Sequence, residues 1–237
     1  MDWKRPARPG IRFGQQEYVV SMIGGLERRR KWLAFCLTGL AGYVDGLGFL
    51  AAGGMFVSFM SGNSTRLAIG VAERSVTALI ALGLIGAFLT GVIAATLVAA
   101  LVHKRRKSAV LGLVSLLLAS SATLAHVGAG AFAPLLMAAA MGAENLVFQR
   151  DGEVSIGLTY MTGAVVKAGQ RIGMALLGGP RWDWLPHLLL WSSLVTGAII
   201  GALSFHRLGV DGLWFAALAA LLLAVWAGLI DRTGEPA

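Results

Sequence analysis

Six stretches of this chain are long enough and apolar enough to cross a bilayer as helices, and nothing else in the sequence constrains the fold as strongly. A spanning helix needs about 20 mostly apolar residues to cover roughly 30 Å of hydrocarbon at about 1.5 Å per residue. Residues 32–52, 76–102, 108–127, 130–149, 187–205 and 212–230 meet that requirement within a chain of 237. Two further segments, 55–72 and 154–177, are apolar on average but interrupted by the polar runs FMSGNSTR and TYMTGAVVKAGQR. Composition agrees: 57% of residues are hydrophobic and 14% charged, against roughly 45–50% and about 25% in a soluble domain. The expected class is an all-α polytopic membrane protein.

Charge placement decides what the two interrupted segments do. The clusters Arg28-Arg29-Arg30-Lys31 and Lys104-Arg105-Arg106-Lys107 both flank helix ends, and the bias of basic loops toward the cytoplasm puts both on that side. An even number of crossings must separate them. Two clear spans lie between, so segment 55–72 is expected to enter the membrane and return as a broken or re-entrant helix. Six true crossings and two cytoplasmic termini follow, with Arg150, Arg181 and Arg232 inside and Arg74 and Arg207 outside.

Residues 1–31 hold eight of the 20 Lys and Arg and read as a basic cytoplasmic tail. Residues 32–230 read as one integral membrane domain, and 231–237 as a short polar tail. The first span is longer than a signal-peptide core and is followed by more membrane, so it is expected to be retained. The net charge of +8 sits in short runs between apolar stretches, which argues for topology and against a nucleic-acid partner.

The two interrupted segments resemble each other. Met60-Ser61-Gly62-Asn63-Ser64-Thr65-Arg66 aligns without a gap on Met161-Thr162-Gly163-Ala164-Val165-Val166-Lys167. Before each lies a helix with an acid, Gly42-Tyr43-Val44-Asp45 and Gly142-Ala143-Glu144-Asn145. After each comes a Thr-Gly step with small residues four apart, Thr90-Gly91 with Ala95 and Thr196-Gly197 with Gly201. Each half, about 32–127 and 130–230, is then span, re-entrant helix, span, span. Three crossings per half invert the second copy, as in many secondary transporters.

The run AGYVDGLGFL followed by FVSFMSGNSTRLAIG, with the later GAENLVFQ and LTYMTGAVVKAGQ, resembles the YoaK-like family of bacterial inner-membrane proteins, a domain of unknown function (DUF1275). The resemblance covers residues 32–230. It implies a bacterial polytopic membrane protein with about six spans and no particular activity. The second half departs from the first in having Ala164 where Asn63 stands.

Ionisable groups inside spans cost about 2.5–3.5 kcal/mol each at a helix centre, so they face a cavity or a partner. Asp45 and Glu144 lie within spans, and Arg66 and Lys167 within the interrupted segments. Two acids and two bases at related positions suggest Asp45 with Arg66 and Glu144 with Lys167, or the crossed pairing. These read either as ion pairs pinning each broken helix or as part of a solute or ion site. Gly62 and Gly163 let the chain leave helical geometry, and Ser61 and Thr162 can cap a half-helix there, whose free N–H groups attract anions. Asn63, Thr65, Asn145 and Thr159 complete the candidate binding set. Gly91, Ala95, Gly197 and Gly201 read as close helix packing, with Gly91→Ala expected to be mild.

Other chemistries find little support. The single cysteine, Cys36, excludes a disulfide scaffold, and no His-x-x-His, Glu-x-x-His or Cys pair offers a metal site. His103, His126, His187 and His206 sit near span ends. There is no GxxxxGK[ST] phosphate loop. No cofactor and no enzymatic activity are expected. The leading expectation is a small inner-membrane transporter or channel-like permease for a small polar or anionic solute. Its partners are membrane lipids and that small-molecule or ion substrate. The alternative is a non-transporting scaffold or sensor. Little room for a large cavity also leaves open a homodimer with the site near its interface.

Overall fold

The computed structural model describes residues 28–102, 105–150, 153–154 and 161–232. The basic tail over residues 1–27, the pair 103–104, Thr159 and the last five residues lie outside the described residues. Among the described residues the fold is all-helical apart from one two-residue antiparallel ladder, Gln149 with Val154 and Arg150 with Glu153. The helices are α1 (Arg28–Ala51), α2 (Met60–Ala72), α3 (Thr77–Leu101), α4 (Arg106–His126), α5 (Ala133–Glu144), α6 (Met161–Leu176), α7 (Leu185–Leu208) and α8 (Leu213–Arg232).

Among the described residues, four helical stretches are long and apolar enough to cross a membrane: Lys31–Ala51, Thr77–Leu101, Arg106–His126 and Leu185–Ile230. The last of these contains both α7 and α8, joined through the 3-10 turn Gly209–Gly212. Large apolar side chains such as Leu79, Leu89, Ile93, Leu97, Ile199, Leu203, Leu218 and Leu222 are exposed along these helices. In water such a surface would aggregate; against lipid it is the favourable one.

Three elements are too short to span alone. Helix α2 has 13 residues, α6 has 16, and Gly130–Glu144 is a shorter apolar helix. The expected helix over 130–149 is thereby shortened: it ends at Glu144, and Leu146, Val147 and Phe148 beyond it remain buried, so a crossing here needs that stretch of chain as well as the helix. Apolar composition marked their burial correctly but not their conformation.

Close backbone approach organises the bundle, and it occurs twice with the same register. Helix α1 packs on α7, and α5 packs on α3. A Cβ on Gly42 would strike the Leu194 carbonyl of α7, and one on Gly197 would strike the Gly39 carbonyl of α1. In the other pair, Gly142 faces the Phe88 carbonyl of α3 and Gly91 faces the Ala139 carbonyl of α5. Shifting α1 by 100 residues and α3 by 106 maps one set of contacts onto the other. Only glycine lets two helices approach this closely. The expectation that Gly91→Ala is mild is corrected by the same geometry, because the added carbon would overlap a backbone oxygen that cannot step aside.

Helix α4 packs against both α5 and α8. At one end of the bundle, Ala51, Ala125, His126, Gly130, Leu208 and Asp211 gather around an open cleft. Those residues end α1, α4 and α7 and precede α5 and α8, so these chain reversals share one face of the protein.

Candidate functional site

The site begins where α1 stops. Gly53 and Gly54 both take left-handed conformations, at φ 64° and 91°, and the Gly54 N–H donates to the Phe49 carbonyl at 2.7 Å. This closes the helix and turns the chain back. The segment 55–59 then runs without helical structure, yet Met55, Val57 and Ser58 are buried. Its backbone groups need partners from elsewhere.

Two side chains supply them. Asp45 Oδ1 accepts the N–H groups of Val57 at 3.1 Å and Ser58 at 2.9 Å. Asn63 brackets Phe56, its Oδ1 accepting the Phe56 N–H at 3.1 Å and its Nδ2 donating to the Phe56 carbonyl at 2.6 Å. The Val57 side chain seats against Gly48 of α1, where a Cβ would meet it at 2.7 Å. So Asp45 and Asn63 hold the broken stretch in place before α2 begins at Met60.

The expected ion pairs do not form. Arg66 lies over the Phe56 ring, 5.8 Å from its centroid, within an aromatic group in which Phe56 also meets Phe49 and Phe59. Asp45 is engaged by backbone N–H groups instead. Glu144 is fully buried, and neither carboxylate oxygen has a hydrogen-bond partner. Lys167 is half-buried on α6, and among the described residues no carboxylate pairs with it. Asn145 is buried and donates from Nδ2 to the Met141 carbonyl at 2.9 Å, a bond along its own chain. Thr65 is exposed and donates to the Ser61 carbonyl at 3.3 Å.

A cavity of about 260 Å³ joins the two halves. Its lining includes Ser58 and Phe59 just before α2, Met60 and Ser61 at its start, Thr162 and Gly163 at the start of α6, and Phe88 of α3. Residues far apart in the chain but equivalent in the repeat thus face one space. No side chain caps the N-terminus of α2, whose cap position is Phe59, so its first N–H groups lack acceptors within the helix. Gly163 has open space where a side chain would stand, whereas a Cβ on Gly62 would meet the Phe59 ring at 2.5 Å. Of the two glycines singled out from the sequence, only Gly163 borders the cavity; Gly62 is needed for the aromatic packing beside it. Ser58 and Phe88 were not anticipated. The only hint for Phe88 was its position just before the repeated Thr-Gly step.

Together these features define a helical membrane protein with a partly open cavity between the starts of α2 and α6. The family model for the protein of unknown function DUF1275 matches residues 33–226. The UPF0700 transmembrane protein RA0705 of Rhizobium meliloti (strain 1021) is 33% identical over 211 residues, which cover 87% of this chain and 92% of that relative. The chain belongs to the DUF1275 family. No solved structure matches it.

Proposed function

We propose that this chain is a small secondary transporter or channel-like permease of the bacterial inner membrane, for a small polar or anionic solute. Six crossings form two inverted repeats, both termini are cytoplasmic, and α2 and α6 are re-entrant half-helices meeting at mid-depth. The observation that carries this reading is the cavity itself, lined by Ser61 from one half and by Thr162 and Gly163 from the other. The duplicated glycine contacts of α1 with α7 and α5 with α3 support the repeat. Hydroxyl groups and helix N-termini around an apolar wall suit a partly desolvated polar solute or anion.

Flux into proteoliposomes, measured over a panel of small anions and polar solutes, tests this. Gly163→Leu projects into open space, so it should fold normally and abolish flux of any solute the native protein carries. Wild-type flux in that variant, or no flux of any solute by the native protein, would overturn the proposal.

A further inference from the structure

Helix α6 carries its positive charge on one side. Lys167 and Arg171 stand one and two turns beyond Gly163, at the four-residue spacing that stacks side chains on a helix. Ala168 beside them is buried and Ala164 half-buried, so both cations border the packed side of α6 and are themselves partly buried. Helix α7 packs against α6, and its first turn presents His187, which is 3% exposed.

These groups share a poorly balanced field. Lys167 and Arg171 repel one another, and both act on His187. The opposing charge is Asp183, whose Oδ2 lies 3.7 Å from Arg171 Nη1. Among the described residues, two permanent cations and a histidine therefore have one carboxylate between them, and the neighbouring surface at Ile172, Met174, Leu176 and Leu177 is exposed and apolar. Unbalanced positive charge beside lipid draws a counter-anion. The first repeat does not duplicate the cluster: Arg66, the counterpart of Lys167, is covered by Phe56, and Gly70 stands where Arg171 would be.

We propose that Lys167 and Arg171 form an oxyanion site, for phosphate or a phosphate-bearing headgroup, on the side of α6 that leads to Gly163. The Arg171 fork holds two oxygens, Lys167 adds a point charge, and Asp183 orients the guanidinium. The site deepens the transport proposal by naming an anion as the class that approaches the cavity, and it rests on that reading only for the onward path; binding itself does not.

Purified full-length protein in an uncharged detergent provides the test, read as the thermal midpoint with inorganic phosphate against chloride at matched ionic strength. A parallel arm compares mixed micelles containing phosphatidylglycerol with phosphatidylcholine. Phosphate should raise the midpoint, and Lys167→Gln or Arg171→Gln should weaken its apparent affinity about tenfold, the loss expected for one charged contact. Arg207→Gln, on the opposite end of α7, should leave it unchanged. A shift with phosphate assigns a free oxyanion, and a shift with phosphatidylglycerol alone assigns a headgroup. No shift in either arm, or a shift that persists in both variants, would overturn the site. Lys167→Gln breaks no ion pair and carries the test if Arg171→Gln does not fold. Binding without flux would leave the site standing and remove the transport reading.

Discussion

Asp45 Oδ1 lies 2.9 Å from the backbone nitrogen of Ser58 and also accepts the Val57 N–H, so the acid of the first span anchors a stretch of chain, not a cation. Each buried N–H left without an acceptor costs about 1–3 kcal/mol. Asp45→Ala should therefore destabilise by at least about 2 kcal/mol, whereas Asp45→Asn keeps an acceptor oxygen and should cost less. Arg66→Gln should be mild and should not rescue Asp45→Ala, since Arg66 rests on Phe56. Thermal unfolding in detergent decides this; rescue by Arg66→Gln would restore the ion-pair reading.

Asn63 uses both ends of its amide on Phe56, at 3.1 Å and 2.6 Å. Asn63→Asp keeps the acceptor and loses the donor, placing a carboxylate oxygen against the Phe56 carbonyl. It should be at least as damaging as Asn63→Ala, by about 1–3 kcal/mol, and also on thermal midpoint. An Asn63→Asp protein as stable as wild type would mean that the bracket does not hold the broken segment.

The glycines separate by what faces them. Gly91→Ala and Gly197→Ala would each push a carbon into a backbone carbonyl of the partner helix, and overpacking of this kind costs about 1–3 kcal/mol, occasionally more. Gly163→Ala meets nothing within 4 Å and should leave the midpoint unchanged. Equal midpoints for the three alanine variants would contradict the duplicated close approach of α1 with α7 and α5 with α3.

Much of this architecture was legible before the coordinates, for identifiable reasons. Hydropathy over 20 residues reports a lipid-facing helix directly, so α1, α3, α4, α7 and α8 match the expected spans to within a few residues at each end. That segment 55–72 is interrupted was legible from the polar residues breaking its apolar run, but the break falls before Met60 and not at Gly62, which lies inside α2 with Ser61 making no cap. Three things were hidden. The partner of Asp45 is backbone, and a backbone N–H leaves no signature in a sequence. The end of α5 at Glu144 was masked by Leu146, Val147 and Phe148, which are buried in irregular chain. The difference between Gly62 and Gly163 depends on the direction of a single absent Cβ, which the repeat alignment made look the same.

The ends of α1, α4 and α7 share one face of the bundle, which the proposed topology puts in the periplasm. His126 Nδ1 lies 3.5 Å from Asp211 Oδ1, joining the end of α4 to the turn before α8. Single cysteines at Asp211 and Arg74, in a Cys36→Ala background, should be labelled by an impermeant thiol reagent from the periplasm, and cysteines at Lys107 and Asp183 only after the membrane is opened. Opposite labelling of positions 74 and 211 would remove the re-entrant reading of α2.

Glu144 presents the sharpest energetic question in the molecule. It is 0% exposed, and both carboxylate oxygens lack hydrogen-bond partners. Its counterpart under the repeat is Val44, so the fold itself does not require an acid there. An isolated buried charge is far costlier than a neutral group, and even a neutral carboxyl without partners carries a desolvation penalty of about 1–3 kcal/mol. Replacing it with an apolar side chain of similar length should relieve that penalty. Glu144→Met should thus leave the thermal midpoint unchanged or raise it by roughly 2–4 °C, the shift for about 1 kcal/mol in a chain of 150–250 residues. Glu144→Lys, which buries a cation instead, should prevent accumulation of folded protein. If Glu144→Met is stable but inactive in the flux assay, the acid is retained for function at a cost in stability. A clear fall in midpoint for Glu144→Met, with Glu144→Gln unaffected, would mean that the carboxyl makes a stabilising polar contact, and the account of Glu144 as unpartnered would be wrong.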